Sequence, residues 1–269
     1  MNKFYHQLKE EEKFIIENHF IHNKESSKQN FQKFCVDIIT KYTGKPFDYK
    51  DQRNNEKDYS IELIWDKDNL ETAMMHCFSH PKFKVSNGKM KSFAIFNGDV
   101  NFVNKDKQNA LMILAQSNIQ NKYSAIKSLL YKENGFDFTL LDKNNNTIHI
   151  HILNSYNKDT FADVNFENDR YFSFLGKLEL FKDVLKDWMS SDFKKGRKQK
   201  DLVIEKSFDV AEGLKVMLSN TKDSIKDRFG RLEEMIVPEI KEIEATALML
   251  KLKDNLQVNE VVSKVKRKI

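Results

Sequence analysis

The chain has 269 residues, of which 40% are hydrophobic and 12% aromatic, and its formal net charge is +5. A chain of this length and apolar content can bury one large core or two modest ones, so we expect a globular protein. It contains only 8 Gly and 3 Pro beside 32% charged residues, which favours long helices joined by polar loops over a Gly-rich sandwich. No apolar run reaches the ~20 residues of a membrane helix, and the N-terminal sequence lacks the apolar core of a signal peptide. We therefore expect a cytoplasmic protein that does not enter a membrane.

The N-terminal part of the chain is predicted to be helical. Apolar residues recur at helical spacing over residues 1–45 and indicate two helices joined near residues 23–27. Residues 60–65 alternate weakly between apolar and polar and predict a strand. Residues 69–77 predict a short helix that ends before Pro81, because the residue preceding a proline disfavours helical backbone.

The middle of the chain mixes strand and helix patterns. Two strand-like segments, residues 92–96 and 100–103, flank an Asn-Gly-Asp turn signal. Residues 107–132 predict one long or kinked helix, and residues 137–154 predict a β-hairpin. An amphipathic helix is expected at residues 171–189.

The tail from residue 201 opens with a strand-like segment at 202–204 and is then helical, with breaks expected at Gly230 and Pro238. This order of elements predicts an α+β fold in which helices pack on an antiparallel sheet. We expect three regions, which are a helical N-terminal region, an α+β core and a helical C-terminal region: 1–89, 90–200 and 201–269.

The hairpin carries a His-apolar-His pair, His149 and His151, on its second strand. Side chains at i and i+2 of a strand point to the same face, so the two imidazoles would present nitrogen ligands to a metal or a phosphate. A second interpretation is that the alternating isoleucines face the core and the histidines face solvent without a ligand.

This arrangement resembles the core of HUH endonucleases, and within them the plasmid mobilisation relaxases of the Mob/Pre kind. The resemblance covers about residues 90–200 and depends on the turn and both histidines of Leu141-Asp142-Lys143-Asn144-Asn145-Asn146-Thr147-Ile148-His149-Ile150-His151. It implies a metal-binding endonuclease whose cation polarises the scissile phosphate of one DNA strand while a Tyr or His attacks phosphorus.

The chain departs from the family pattern at two positions. The third histidine of the family falls at Asp142, and the acidic residue of the turn falls at Asn145. The implied metal ligands are therefore His149, His151 and Asp142, and the carboxylate oxygen favours Mg²⁺ or Mn²⁺ over Zn²⁺. The N-terminal part of the chain does not match the start of a relaxase.

Two tyrosines are candidates for the nucleophile. Tyr123 precedes Lys127 by one helical turn, and Tyr5 precedes Lys9 by the same spacing, so a lysine could lower the pKa of either tyrosine. Tyr123 also lies on the apolar face of its predicted helix, where a role in the core is the simpler interpretation.

Basic clusters provide candidate contacts to nucleic acid. Five cations fall within seven residues: Lys194, Lys195, Arg197, Lys198 and Lys200. Four more end the chain within residues 264–268. Such clusters can pair with backbone phosphates, although a solvated loop and a frayed terminus explain them equally well.

Two functions follow from these patterns. The first is a DNA-binding protein that resembles a metal-dependent HUH single-strand endonuclease of the relaxase or replication-initiator type. The second is a non-catalytic nucleic-acid-binding or assembly subunit of a mobile element or defence system. Single-stranded DNA is the expected partner, and the C-terminal helices are expected to bind a protein partner or a second copy of the chain.

Overall fold

A computed structural model describes most of the chain, and its residues are mostly helical. The described residues are 4–22, 24, 27–44, 61–83, 99–119, 122–130, 137–162, 164, 171–190, 197–221 and 232–266, with 128, 171, 172, 197 and 254–266 described by their backbone alone. The chain forms two compact units, Met1–Ile148 and His149–Ile269, which are called the N-terminal unit and the C-terminal unit below.

The N-terminal unit contains three strands and five helices in its described part. In chain order they are β1 (Phe4–Gln7), α1 (Glu10–Phe20), α2 (Ser27–Thr43), β2 (Ile61–Asp66), β3 (Glu71–Thr72), α3 (Ala73–Ser79), α4 (Ala110–Gln116) and α5 (Lys122–Leu130). The C-terminal unit is helical throughout its described part. Its helices are α6 (Ile148–Asn154), which begins at the last residue of the N-terminal unit, α7 (Asp159–Ala162), α8 (Tyr171–Ser190), α9 (Arg197–Asn220) and α10 (Leu232–Lys266).

The described strands form one mixed sheet in the order β1-β2-β3. β1 runs parallel to β2 with Phe4 opposite Ile61, and β2 runs antiparallel to β3 with Ile64 opposite Thr72. The expectation of an antiparallel sheet is therefore only partly right. A parallel pair needs a crossover connection, and α1 and α2 lie in that connection here.

This sheet lies in the region that the sequence pattern predicted to be helical. Residues 4–7 form a strand, although their apolar spacing suggested a helix. The strand predicted at 100–103 is a turn followed by irregular backbone, and the segment at 202–204 lies inside α9. The strand predicted at 92–96 lies outside the described residues.

Most of the predicted helices are confirmed, with changes at their ends. The N-terminal pair corresponds to α1 and α2, and Gly44 follows α2 with a φ of 67°, a left-handed conformation that glycine adopts without strain. The segment predicted at 107–132 is divided between α4 and α5. Ser117 ends α4, and its hydroxyl donates to the Leu114 carbonyl at 2.8 Å.

The long C-terminal helices bury one apolar face each. Buried residues of α8, α9 and α10 include Phe174, Phe181, Trp188, Val203, Leu214, Ile236, Ile240 and Ile243. α10 continues through Pro238, where a break was expected. Its buried apolar face is continuous on both sides of the proline, so packing offsets the missing backbone hydrogen bond. Gly230 lies outside the described residues.

Within the described helices, none combines the length and the apolar character that crossing a lipid bilayer requires.

Candidate functional site

The predicted HUH hairpin is wrong at both strands, because residues 137–142 form a turn and irregular backbone, and His149 and His151 lie in the seven-residue helix α6. Helical residues two apart differ by about 200° in direction, so the two imidazoles point to different sides of the helix. Both are buried, at 4% and 7% exposed, and Ile148, Ile150 and Ile152 are buried as well. A short segment that is buried on all sides cannot be assigned to strand or helix from alternation alone, which is why the pattern misled.

Asp142 organises a turn in the N-terminal unit. Its buried carboxylate accepts hydrogen bonds from the backbone N–H groups of Asn144 and Asn146, both at 2.8 Å. The Asn146 carbonyl in turn accepts the Asp142 backbone N–H at 3.0 Å, and Asn145 adopts a positive φ of 61°. These contacts give Asp142 a structural role as the acceptor of an Asx turn.

The three implied metal ligands therefore lie in different local structures, Asp142 in a turn and the two histidines on a helix. Asp142 belongs to the N-terminal unit and the histidines to the C-terminal unit. The described part of the chain contains no group of three or more His, Cys, Asp or Glu side chains arranged to hold a metal ion. The magnesium or manganese site stays a prediction without support from this geometry.

The basic segment is partly visible at the start of α9. Lys194 and Lys195 lie outside the described residues, and Arg197 is described by its backbone as the first residue of the helix. Lys198 is exposed and Lys200 is partly exposed in the first turn. The N-terminus of a helix carries a partial positive charge, so these cations and the helix end attract anions together.

The two nucleophile candidates are placed differently. Tyr5 on β1 is 54% exposed, and its ring lies 6.1 Å from the ring of Phe102. Tyr123 on α5 is half-buried, and the Lys122 ammonium lies 5.4 Å from its ring centroid. Burial lowers the pKa of Lys122. Neither the ammonium beside the Tyr123 ring nor the Phe102 ring beside Tyr5 is a general base for the phenol.

A different tyrosine meets a histidine and a carboxylate. The side chain of His6 on β1 places Nε2 at 3.0 and 3.1 Å from the two carboxylate oxygens of Glu12, and Nδ1 at 2.9 Å from the hydroxyl of Tyr42. We call Tyr42, His6 and Glu12 the His6 triad. It joins β1, the first turn of α1 and the last turn of α2.

Local sequence positions two of the three members. The alternation of β1 buries His6 between the exposed Tyr5 and Gln7. Glu12 lies in the first turn of α1, where acidic residues are favoured by the helix dipole, and it also accepts the Lys9 backbone N–H at 2.8 Å. Tyr42 lies 36 residues from His6 along the chain. Sequence reasoning missed the triad because no local pattern connects such distant residues.

A second histidine of the N-terminal unit has two carboxylates as neighbours. His76 stacks on Trp65 with ring centroids 3.8 Å apart, and its Nε2 lies 3.3 Å from Glu17. Its Nδ1 lies 3.8 Å from Glu71. Burial lowers the pKa of His76 although Glu17 opposes that effect, and burial together with Asp66 raises the pKa of Glu71.

The described N-terminal unit also contains an open cavity of about 360 Å³. Its lining offers amides and hydroxyls without a titratable side chain, and includes Ser79, Gln108, Gln116, Ser117 and Asn118. Its described lining can donate and accept hydrogen bonds, but includes no group that would exchange a proton at neutral pH.

Comparison with known proteins found no matching family model, no matching curated protein and no matching solved structure. The resemblance to HUH endonucleases therefore stays a prediction from a short motif.

Proposed function

We propose that this protein binds nucleic acid, through the basic segment at residues 194–200, without the metal chemistry of an HUH site. The observation that carries this choice is the position of His149 and His151 on a helix, which removes the shared face on which the endonuclease interpretation depended. The alternative of a non-catalytic nucleic-acid-binding subunit does not need that face.

The charge of the chain supports a phosphate-binding role. Five cations in seven residues accompany a net charge of +5, and the described members of this cluster begin a helix of 24 residues. Each Lys or Arg that neutralises a phosphate releases condensed counterions, so such binding weakens steeply as salt rises. The choice of single-stranded DNA comes from the resemblance, and duplex DNA is the comparison that tests it.

Fluorescence anisotropy with a labelled single strand tests the proposal. The variant Lys198→Glu/Lys200→Glu reverses two charges at the start of α9. The control Lys28→Glu/Lys33→Glu makes the same charge change on exposed positions of α2. We expect the first variant to weaken binding by tenfold or more and to lower the salt slope by about 2, because two phosphate contacts are lost.

The control variant should change the affinity by less than about threefold, since its lysines act only through long-range charge, which salt screens. Equal weakening by both variants would show that total charge alone attracts DNA, and would reject a specific basic surface. No detectable binding by the wild type at low salt would reject the proposal entirely.

A nicking assay separates the endonuclease alternative. Wild-type protein is incubated with single-stranded DNA and Mn²⁺ and compared with His149→Gln/His151→Gln, whose folding is checked by circular dichroism because both histidines are buried. We expect no nicking by either protein. Metal-dependent nicking that disappears in a folded variant would support the HUH interpretation and contradict ours.

A further inference from the structure

We propose that Tyr42 is a nucleophile that attacks phosphorus in a phosphate ester, with His6 as its general base and Glu12 as the residue that positions His6. The proposal concerns the N-terminal unit alone. It goes beyond the proposed nucleic-acid binding, since it depends on neither the basic segment nor α6.

The tautomer of His6 follows from its partners. A Glu12 carboxylate only accepts hydrogen bonds, so the 3.0 and 3.1 Å contacts place a proton on Nε2, and the proposal takes His6 in its neutral form, whose other ring nitrogen is unprotonated. Nδ1 then carries a lone pair and accepts the hydrogen bond of the Tyr42 hydroxyl at 2.9 Å. The Tyr5 carbonyl is a more distant acceptor of the same hydroxyl, at 3.5 Å. The phenol proton therefore points at a base.

The base is held in place from both sides. The His6 side chain is 6% exposed and that of Glu12 is 15% exposed, so water has little access to the contact between them. Glu12 is fixed in turn by the Lys9 backbone N–H. A nucleophile, a base within hydrogen-bond reach and a third group that orients the base form the arrangement on which activated nucleophiles depend.

The surroundings of Tyr42 favour an anionic electrophile. The Lys41 ammonium lies 5.1 Å from the centroid of the Tyr42 ring, and Lys41 is exposed. A cation beside the nucleophile stabilises the negative charge that develops on phosphoryl oxygens during attack. Tyr42 itself is only partly buried, so part of its side chain faces solvent.

The proposed step transfers a phosphoryl group to Tyr42 and uses His6 to accept and return one proton. The Tyr42 oxygen forms a bond to phosphorus, the bond from phosphorus to the leaving oxygen breaks, and the phenol proton moves to Nδ1 of His6. Glu12 stabilises the imidazolium that results. The leaving oxygen departs with the electron pair and takes the proton back from His6, which leaves a phosphotyrosine ester.

Covalent labelling tests this proposal on the full chain. The neutral probe is an alkyl fluorophosphonate, which transfers its phosphonyl group to a nucleophile with loss of fluoride, and peptide mass spectrometry measures the rate at each tyrosine. Tyr5 is the internal control, because it is 54% exposed. We expect Tyr42 to react at least tenfold faster than Tyr5 although it is less exposed, and the ratio to approach 1 in concentrated urea.

The variant Glu12→Gln tests the positioning role. It keeps an oxygen that can accept the Lys9 N–H but lacks the charge that stabilises the imidazolium, so labelling of Tyr42 should slow by tenfold or more while Tyr5 is unchanged. The variant Glu12→Asp, which keeps the charge, should slow labelling of Tyr42 less than Glu12→Gln does. If Glu12 only supported the fold, Glu12→Gln would instead raise labelling at both tyrosines.

The phosphorus specificity is tested with two substrates. Lys41→Met should slow the release of nitrophenolate from bis(p-nitrophenyl) phosphate, an anion, by about fivefold and leave the neutral fluorophosphonate unaffected. Faster acylation of Tyr42 by p-nitrophenyl acetate than phosphonylation would overturn the phosphate assignment. A native rate at Tyr42 no greater than that at Tyr5 would overturn the nucleophile itself, whether or not the DNA-binding result holds.

Discussion

The two units fix their helices by different means. In the N-terminal unit, α3 and α4 have only seven residues each and begin at polar side chains, where Thr72 accepts the Met75 N–H and Asn109 accepts the Met112 N–H. In the C-terminal unit, three helices of 20, 24 and 35 residues bury apolar faces, and ion pairs join them. Helix ends make up a larger share of a short helix, so a single polar cap should matter more for α3 and α4 than for α8, α9 and α10.

The largest effect is expected where two backbones of the C-terminal unit approach each other. A Cβ added at Gly213 of α9 would lie 2.3 Å from the Lys158 carbonyl oxygen. Gly213→Ala forces α9 away from this backbone, and we expect a loss of about 2–3 kcal/mol in the free energy of unfolding. Urea titration followed by Trp188 fluorescence, in a Trp65→Phe background, measures this loss in the free energy of unfolding.

The matched control is Gly176→Ala in α8. A Cβ at Gly176 meets no atom within 4 Å, so the higher helix propensity of alanine should stabilise the unit by about 0.5–1 kcal/mol. Equal effects of the two substitutions would show that the approach of Gly213 to Lys158 does not restrict α9.

The longer helices were predictable from sequence because their signal is local. The apolar spacing that marks α1, α2 and α8 is contained within each helix, and the weak apolar pattern of β2 lies within its own six residues, although the first four of them are all buried. β1 has only four residues and is a strand because it pairs with β2, more than fifty positions away. No pattern within residues 4–7 indicates that they pair with β2.

The candidate site was less predictable for the same reason. His149 and His151 were predicted to share a face because they lie two positions apart in sequence, but helical geometry separates their side chains. His6 has a partner six residues away and another 36 residues away, which only the tertiary structure brings together. Closeness in sequence was therefore a poor guide to which side chains share a face.

The next largest effect is expected at a helix cap of the N-terminal unit. Asn109 is fully buried, and its side-chain oxygen accepts the Met112 N–H at 2.9 Å. Asn109→Ala removes that acceptor and should cost about 1–2 kcal/mol, measured by Trp65 fluorescence in a Trp188→Phe background. Within the described residues its amide nitrogen has no hydrogen-bond partner, so Asn109→Ser, which keeps an acceptor, should cost much less. Similar losses for both variants would indicate that packing, and not capping, is what Asn109 supplies.

A smaller effect is expected from the ion pairs of the C-terminal unit. Lys182 of α8 contacts both Glu239 and Glu242 of α10, and its side chain is 29% exposed. Lys182→Met should cost about 1 kcal/mol, and the cost should shrink in high salt because partly exposed pairs are screened. Lys215, which is 49% exposed and contacts Glu244 of α10, provides the comparison. A larger loss for Lys215→Met would contradict this ranking by burial.

The smallest effect is a pH dependence of the N-terminal unit at His76. Because burial lowers its pKa below 6.5 in the folded state, the unfolded chain binds the proton more readily, and stability falls as pH drops below 6.5 toward the folded value. The charged and titratable neighbours of His76 are Glu17, Glu71, His80 and Lys13. The raised pKa of Glu71 affects stability in the opposite sense. The stability that Glu71 contributes is fully present below pH 4.5 and is lost as pH rises through the pKa of its folded state. Urea unfolding at pH 7.5 and 5.5 should therefore show a smaller loss for His76→Gln than for the wild type, since the variant lacks the proton-binding group while Glu71 remains in both. Identical pH dependence of the two proteins would contradict this prediction. It would mean that Glu17 stabilises the imidazolium enough to offset burial, so that the pKa of His76 is the same in the folded and unfolded states.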